Sequence, residues 1–344
     1  MGIGILGYGA YLPKYRIKAE EYRKAWGNFS APGVKEKSLP GYDEDVVTMA
    51  IEAAHNATNY AGIDPSSLGT LYLATTSGPY VEKPLSSTLA AALVGNREVR
   101  TADFMGSTKA GSSALLACFD RIVAEGKGVG LGVASDIPLG PIDSGTEHSF
   151  GAGSAAYVIG EGEPIAVLEG SHSITIETLG ERFRKAGELY TRDLELRVNF
   201  MGECLHESID GLLGKLNLTP EKVNHVVLQQ PDASQSFKAV GKFGFSGEAL
   251  AVGAIATHTG DTGVASCLLS LAHVLDHAQG SERIIVASYG SGSDAFSLLV
   301  QDGIIQRRKQ SSDVPKVKDY LEKREYVDYV TYLKFKKYLS TFKS

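Results

Sequence analysis

Short apolar runs alternate along the chain with longer stretches of helical periodicity. Residues 43–61 place valine and alanine on one face at helical spacing, and Gly62 follows, so they predict an amphipathic helix. Small residues fill a second predicted helix at 109–125. Apolar runs bounded by turn residues predict strands at 2–8, 68–75, 99–105, 129–135, 155–160 and 165–170.

The second half of the chain repeats this order. The same patterns predict helices at 201–216, 235–243 and 263–278, and strands at 223–229, 283–288 and 295–300. Each half reads roughly β, α, β, α, β, β, which implies a mixed sheet with helices on its faces. Two halves of similar length indicate an internal structural duplication, with residues 1–167 in the first half and 168–344 in the second.

The tail from residue 305 onward is basic and rich in tyrosine. It carries 11 Lys or Arg against 5 Asp or Glu. In a helix, Tyr326, Tyr329, Val330 and Leu333 would share one face. Such a helix could contact nucleic acid or an acidic partner, but we favour an amphipathic helix docked on the body of the protein.

Composition narrows the class of protein. The chain has 344 residues, 43% of them hydrophobic, so it can bury a large core without disulfides or structural metals. A net charge of −6 argues against a nucleic-acid binder. The three cysteines are too widely spaced for a disulfide framework or a zinc site. We find no signal peptide or membrane span, and expect a cytoplasmic protein without a membrane partner or a metal.

Several local strings occur in a specific order. They are GYGAYLPKYRI, EKSLPGYDEDVVTMAIEAA, KAGSSAL, QQPD and SYGSGSDAF, followed in the tail by LEKREYVDYVTYLKFKK. Together they resemble the archaeal-type 3-hydroxy-3-methylglutaryl-CoA (HMG-CoA) synthases of the thiolase superfamily over nearly the whole chain. The resemblance implies an α/β fold of the thiolase-like type. This fold has five layers, αβαβα, built from two similar βαβαββ halves, and it normally forms a homodimer.

The chemistry of that family requires a cysteine that is acylated, a glutamate that removes a proton from the acetyl group, and a histidine. At the matching positions this chain has Thr108 for the cysteine, Thr76 for the glutamate and Gln229 for the histidine. A threonine hydroxyl is far less acidic than a thiol and needs a base to become a nucleophile. Neither threonine nor glutamine takes up a proton at neutral pH. The resemblance therefore predicts that the condensation chemistry is lost.

The resemblance also implies a pocket for coenzyme A. Ser234 occupies the position of a family lysine that grips CoA, Asp261 that of an asparagine, and Met201 that of a threonine. Gly151 and Ser291 lie in glycine-rich turns, and we expect them in the same pocket. We expect no resident cofactor; CoA or an acyl-CoA is the ligand that the resemblance suggests.

Two functions follow from these replacements. The first is a non-catalytic scaffold or regulatory subunit, homodimeric, in a complex with a thiolase and a zinc-ribbon/OB-fold protein. The alternative is an active acyl-CoA transferase or HMG-CoA synthase that uses divergent or relocated residues, such as His258 with Asp261 or Glu147 with His148. A simpler interpretation of those four side chains is that they are solvated loop residues, and we favour it. A third hypothesis is a pocket for a neutral ligand.

Overall fold

The computed structural model describes residues 2–95, 97–194 and 200–339. Within them, strands of one large sheet and one small sheet provide the framework. The strands are β1 Gly2–Tyr11, β2 Tyr15–Lys18, β3 Glu36–Leu39, β4 Thr70–Ala74, β5 Arg100–Phe104, β6 Val129–Asp136, β7 Gly153–Gly162, β8 Ala166–Thr175, β9 His225–Leu228, β10 Arg283–Tyr289, β11 Gly292–Val300 and β12 Glu325–Tyr326.

The large sheet has nine strands in the order β5-β4-β6-β7-β1-β8-β11-β10-β9. Parallel pairs (β4 with β5 and β6, β9 with β10) lie toward its two ends, and antiparallel pairs lie in the middle. Strands β1 and β8 join its two parts through the single residue pair Ile5 and Ala166. The small sheet has the order β12-β2-β3.

Helices cover both faces of the large sheet. They are α1 Ala19–Trp26, α2 Val46–Ala61, α3 Leu85–Leu93, α4 Ala110–Glu125, α5 Gly145–Ser149, α6 Phe200–Leu216, α7 Gln235–Ala239, α8 Gly247–Ala251, α9 Ala256–Thr259, α10 Ser266–Leu275, α11 Ile304–Gln310, α12 Val317–Glu322 and α13 Tyr329–Phe335. The order of strands and helices expected from the apolar pattern is confirmed. The pattern missed the helices α1, α3, α5, α8 and α9 and the small sheet.

Three apolar cores separate the layers. Alternate residues of a strand face opposite sides of the sheet, so neighbouring residues enter different cores. In β1, Ile5 enters the core shared with α4 and α10, whereas Leu6 packs on α2 and α3. A register shift between Ile5 and Gly7 then brings Tyr8 to the same side as Ile5. In β10, Ile284 enters the core of α4 and α10, whereas Ile285 packs on α6. Helices α4 and α10 therefore lie between the two parts of the sheet, which gives the five layers of a thiolase-like fold.

The basic tail does dock on the body, but it does so as several short elements. Tyr326 belongs to strand β12 and is exposed, and Val330 is 54% exposed. Tyr329 and Tyr332 of α13 are buried in a small core with Tyr22. The prediction that these residues share one helical face is therefore wrong. Arg324 and Tyr326 instead donate hydrogen bonds to Glu36 at the edge of the small sheet.

Helix α2 lies directly against β1 because Gly9 leaves room for it. A Cβ atom at Gly9 would lie 2.3 Å from both the carbonyl oxygen of Ala53 and the amide nitrogen of Ala57. We expect Gly9→Ala to lower the free energy of unfolding by about 1–3 kcal/mol, since neither backbone can yield without repacking the core. Gly2→Ala in the same strand has open space around it and is the matched control. Urea denaturation of both variants checks this, and equal midpoints would contradict it.

Candidate functional site

A cleft of about 1180 Å³ opens between the loop after β4, the start of α4 and the segment 177–194. Most of the positions that the resemblance assigned to a site lie on it. The cleft-lining residues among them are Thr76, Thr108, Met201, Gln229, Asp261 and Ser291. Gly151 and Ser234 do not line it: Gly151 donates its amide to the carbonyl of Asp261, and Ser234 precedes helix α7.

Thr108 stands just before helix α4 and is only 6% exposed. Its hydroxyl donates to the backbone carbonyl of Tyr289 at 2.5 Å, and the hydroxyl of Ser107 donates to that of Gly290 at 2.8 Å. A Cβ atom at Gly290 would lie 2.6 Å from the Thr108 hydroxyl oxygen, so glycine is required there. The Thr108 proton therefore points at a carbonyl, which is not a base.

Thr76 is held by a buried carboxylate. Its hydroxyl donates to Oδ2 of Asp136 at 2.7 Å and its amide to Oδ1 at 3.1 Å. The hydroxyl of Ser77 and the amide of Val264, at 3.1 Å, also donate to Asp136. Asp136 is fully buried and faces these donors without an ion-pair partner among the residues described. The sequence analysis missed this carboxylate, which fixes the loop that carries Thr76.

Gln229 is buried and turned toward the protein interior. Its side-chain nitrogen donates to the carbonyl of Gly263 at 2.9 Å, and its side-chain oxygen accepts from Sγ of Cys267 at 3.5 Å. Burial raises the pKa of the Cys267 thiol, so this cysteine stays protonated. Both ends of the amide are thus engaged inside the protein.

Asp261 is fully buried, so the expectation of a solvated loop residue is wrong for it. It accepts from Arg182 through Oδ2 and from the amide of Gly263 through Oδ1, at 2.9 Å. The guanidinium of Arg182 also lies 4.6 Å from the ring centre of Phe150. His258 faces Glu36 at 3.3 Å, so it and Asp261 have different partners and form no catalytic pair. A lone arginine in a long loop gives no pattern from which this ion pair could be predicted.

Glu147 and His148 are also buried rather than solvated. Glu147 accepts from the hydroxyl of Tyr329 at 3.0 Å, and Nδ1 of His148 accepts from the amide of Ser30 at 2.9 Å. His148 stacks on the ring of Phe29, 5.2 Å between centres. They face the aromatic core under the tail and do not line the cleft. The two residues therefore support the tail and are not a relocated catalytic pair.

The segment 177–194 adds residues to the cleft that no sequence pattern singled out. Glu181 accepts a hydrogen bond from the hydroxyl of Tyr289, and Thr178 shares one of 3.1 Å with Ser291. Burial is the main cause that raises the pKa of Glu181. Met201 lies nearby, 3.7 Å from the Ser236 hydroxyl. Glu181 was missed because its partner is more than a hundred positions away in the sequence.

The three cysteines are buried. Burial raises the pKa of Cys118 to about 12 and that of Cys204 to about 11, so both are protonated at neutral pH. The expected packing role of Cys118 is confirmed by its place in the core of α4. In the part of the chain that the structure describes, no group of three or more His, Cys, Asp or Glu side chains could hold a metal ion. No helix there is long and apolar enough to cross a membrane.

His148 provides a pH-dependent contribution to stability. Burial, and then the charge of Lys37, lower its pKa from 6.5 to about 4. Between pH 6.5 and 4 this histidine is therefore protonated in the unfolded chain but not in the folded chain. The free energy of unfolding should accordingly fall by up to about 3 kcal/mol as the pH is lowered through this range. We expect His148→Gln to flatten this fall and His55→Gln, at an exposed position, to leave it unchanged. Urea unfolding across this pH range measures it; parallel curves for the wild type and His148→Gln would refute it.

The amino-acid sequence of this chain is similar to those of known enzymes. The chain is 36% identical over 347 residues to a hydroxymethylglutaryl-CoA synthase of Methanocaldococcus jannaschii, covering 97% of this chain and 98% of that one. It is also 36% identical over 346 residues to the enzyme of the same name from Methanopyrus kandleri, covering 98% of each chain. No family model matches the chain.

Solved structures share the fold. A structure described as MvaS in complex with 3-hydroxy-3-methylglutaryl coenzyme A superposes with a TM-score of 0.85 at 22% identity, covering 97% of this chain and 91% of that one. The 3-oxoacyl-[acyl-carrier-protein] synthase III of Aquifex aeolicus superposes with a TM-score of 0.75 at 23% identity, covering 87% and 100%. At 36% identity over nearly its whole length, the chain belongs to the archaeal-type HMG-CoA synthase family of the thiolase superfamily.

Proposed function

We propose that the protein is an acyl-CoA enzyme of the HMG-CoA synthase type, which binds the thioester in the cleft and acts on it with relocated residues. The observation that carries this proposal is the convergence of Thr76, Thr108 and Gln229 on one cleft. These are the positions that the resemblance assigns to the family's reactive groups. The relatives at 36% identity are named hydroxymethylglutaryl-CoA synthase, which supports an active enzyme.

The size of the cleft suits a long ligand. Pockets for small molecules usually measure about 300–1000 Å³, and this one is about 1180 Å³. Its lining mixes apolar side chains such as Met105 and Leu179 with hydroxyl groups of Ser107 and Thr108. An acyl group on a pantetheine arm has the same mixture of apolar and amide character. CoA thioester is accordingly proposed as substrate, with no resident cofactor.

Catalysis in this cleft requires a base other than the three aligned side chains. Thr108, Thr76 and Gln229 each donate a hydrogen bond to an acceptor of the protein. A hydroxyl or amide in that arrangement cannot remove a proton from a substrate. The active candidate therefore depends on one of the carboxylates that line the cleft.

A non-catalytic subunit is the second candidate. The inward hydrogen bonds of Thr108, Thr76 and Gln229 favour it, because they account for these side chains without any reaction. In that case the protein would hold CoA or a partner, and the proposed partners are a thiolase and a zinc-ribbon/OB-fold protein. The names of the relatives support the active candidate more directly than this one.

Calorimetry with acetyl-CoA and a thiol assay for released CoA test the first proposal. We expect acetyl-CoA to bind, and CoA to be released faster than in buffer alone with acetyl-CoA and acetoacetyl-CoA together. Met105→Trp places an indole in the cleft and should weaken binding at least tenfold. Val123→Trp, at an exposed position of α4 away from the cleft, is the matched control. Binding without release would favour the non-catalytic subunit. Absence of binding would refute the enzyme and leave only a subunit that holds a partner protein.

We also propose a homodimer. Strand β5 forms an edge of the large sheet, and none of its residues is fully buried in the single chain. Such an edge is a ready surface for pairing with a second chain. Light scattering should therefore give twice the mass of 36.6 kDa. A mass of one chain at micromolar concentration would contradict this proposal.

A further inference from the structure

The segment 177–194, which lines the cleft together with Thr108, holds a glutamate in an unusual setting. Glu181 is half-buried and lines the cleft. The phenol of Tyr289 donates a hydrogen bond to its Oε2, and its backbone amide donates to the carbonyl of Thr178 at 3.0 Å. Its carboxylate is thus fixed in position by a neutral donor at the surface of the cavity.

Two of the other carboxylates that line the cleft, Glu177 and Asp193, are exposed to solvent. The buried carboxylates near it are committed to structure. Asp261 pairs with Arg182 and is fully buried. Asp232 accepts from the amides of Ser234 and Gln235, at 2.6 and 2.8 Å, and so begins helix α7. Asp136 is buried and anchors the loop of Thr76. Glu181, by contrast, begins no helix and anchors no loop. Among the residues described, no lysine or arginine forms an ion pair with it.

The surroundings of Glu181 make it a stronger base than an ordinary carboxylate. Burial raises its pKa, and the charge of Asp193 raises it further, while hydrogen bonds from Tyr289 and Thr178 oppose this. Cys204, a further titratable group near it, is protonated at neutral pH because burial raises its pKa to about 11. A general base with a pKa closer to neutral pH transfers protons more effectively.

Tyr289 connects this glutamate to Thr108. The backbone carbonyl of Tyr289 accepts from the Thr108 hydroxyl, and its phenol donates to Glu181. Thr108 and Glu181, which both line the cleft, are therefore bonded to the two ends of one tyrosine residue.

We propose, on the basis of the acyl-CoA function above, that Glu181 is the base that removes a proton from the α-carbon of the bound acyl thioester. In this step the Cα–H bond breaks and its proton moves to the Glu181 carboxylate. The electron pair of that bond forms the C=C bond of an enolate, whose charge rests on the thioester oxygen. Tyr289 is the positioning residue that holds the carboxylate toward the cleft.

Hydrogen exchange of acetyl-CoA in D₂O tests this step by itself, without a second substrate. Mass spectrometry of the recovered acetyl-CoA follows deuterium entering the methyl group. We expect the wild-type protein to catalyse exchange and Glu181→Gln to reduce it at least 100-fold. Glu181→Asp should retain part of the rate because it keeps a carboxylate. Glu163→Gln, at an exposed position just after β7 and away from the cleft, is the matched control.

The pH profile provides a second measurement. Exchange should rise with pH through the raised pKa of Glu181, since only the ionised carboxylate accepts a proton. Tyr289→Phe removes a hydrogen bond that lowers this pKa, so the inflection should move to higher pH. A residue with a purely structural role would not move the inflection.

Calorimetry with acetyl-CoA on the same samples separates the two proposals. Binding without exchange, or an exchange rate that is equal in the wild type and Glu181→Gln, overturns the role of Glu181 and leaves acyl-CoA binding intact. Absence of binding by the wild-type protein overturns the proposed function, and the role of Glu181 fails with it.

Discussion

The architecture of the cleft depends on one buried carboxylate. Asp136 ends strand β6 and accepts from Thr76 and Ser77 in the loop after β4 and from the amide of Val264 just before α10. A buried charge is costly unless hydrogen bonds surround it, so all of these donors must stay in place together. A Cβ atom at Gly263 would lie 2.0 Å from Oδ2 of Asp136, and glycine is thus needed for the close approach. The loop of Thr76 and the turn that leads into α10 are fixed against each other at the floor of the site.

That fixed floor holds the shape of the cleft. The groups that hold the loops together are Asp136, the backbone amides that donate to it and the hydroxyls of Thr76 and Ser77. The side chains at the surface of the cleft, Thr76, Thr108 and Gln229, satisfy their hydrogen bonds with the same framework. No polar group of these three side chains that would cost free energy when buried is therefore left without a partner. An acid–base group of the cleft must then come from another side chain.

Sequence reasoning succeeded where structure is determined locally. The spacing of valine and alanine predicted α2, and the alternating and apolar runs predicted the strands of the large sheet. It failed for the small sheet, since β2 pairs with β12 across some three hundred positions. The same reason applies to the site: the ion pair of Arg182 with Asp261 and the bond of Tyr289 to Glu181 join residues that only the fold brings together. Glu147 and His148 were misjudged as solvated because their burial under the tail is equally non-local.

The energetics at the start of α4 limit the chemistry that Thr108 itself can perform. A cysteine thiol ionises near pH 8.5, whereas the pKa of a hydroxyl such as that of Thr108 is many units higher. A helix N-terminus stabilises an anion by at most about 2 kcal/mol, which offsets only about one and a half pKa units. Thr108 therefore cannot become an anionic acyl acceptor, and its hydrogen bond to the Tyr289 carbonyl fits a neutral hydroxyl. Proton transfer at the α-carbon needs no such acceptor: it needs a carboxylate at the cleft surface, and Glu181 provides one.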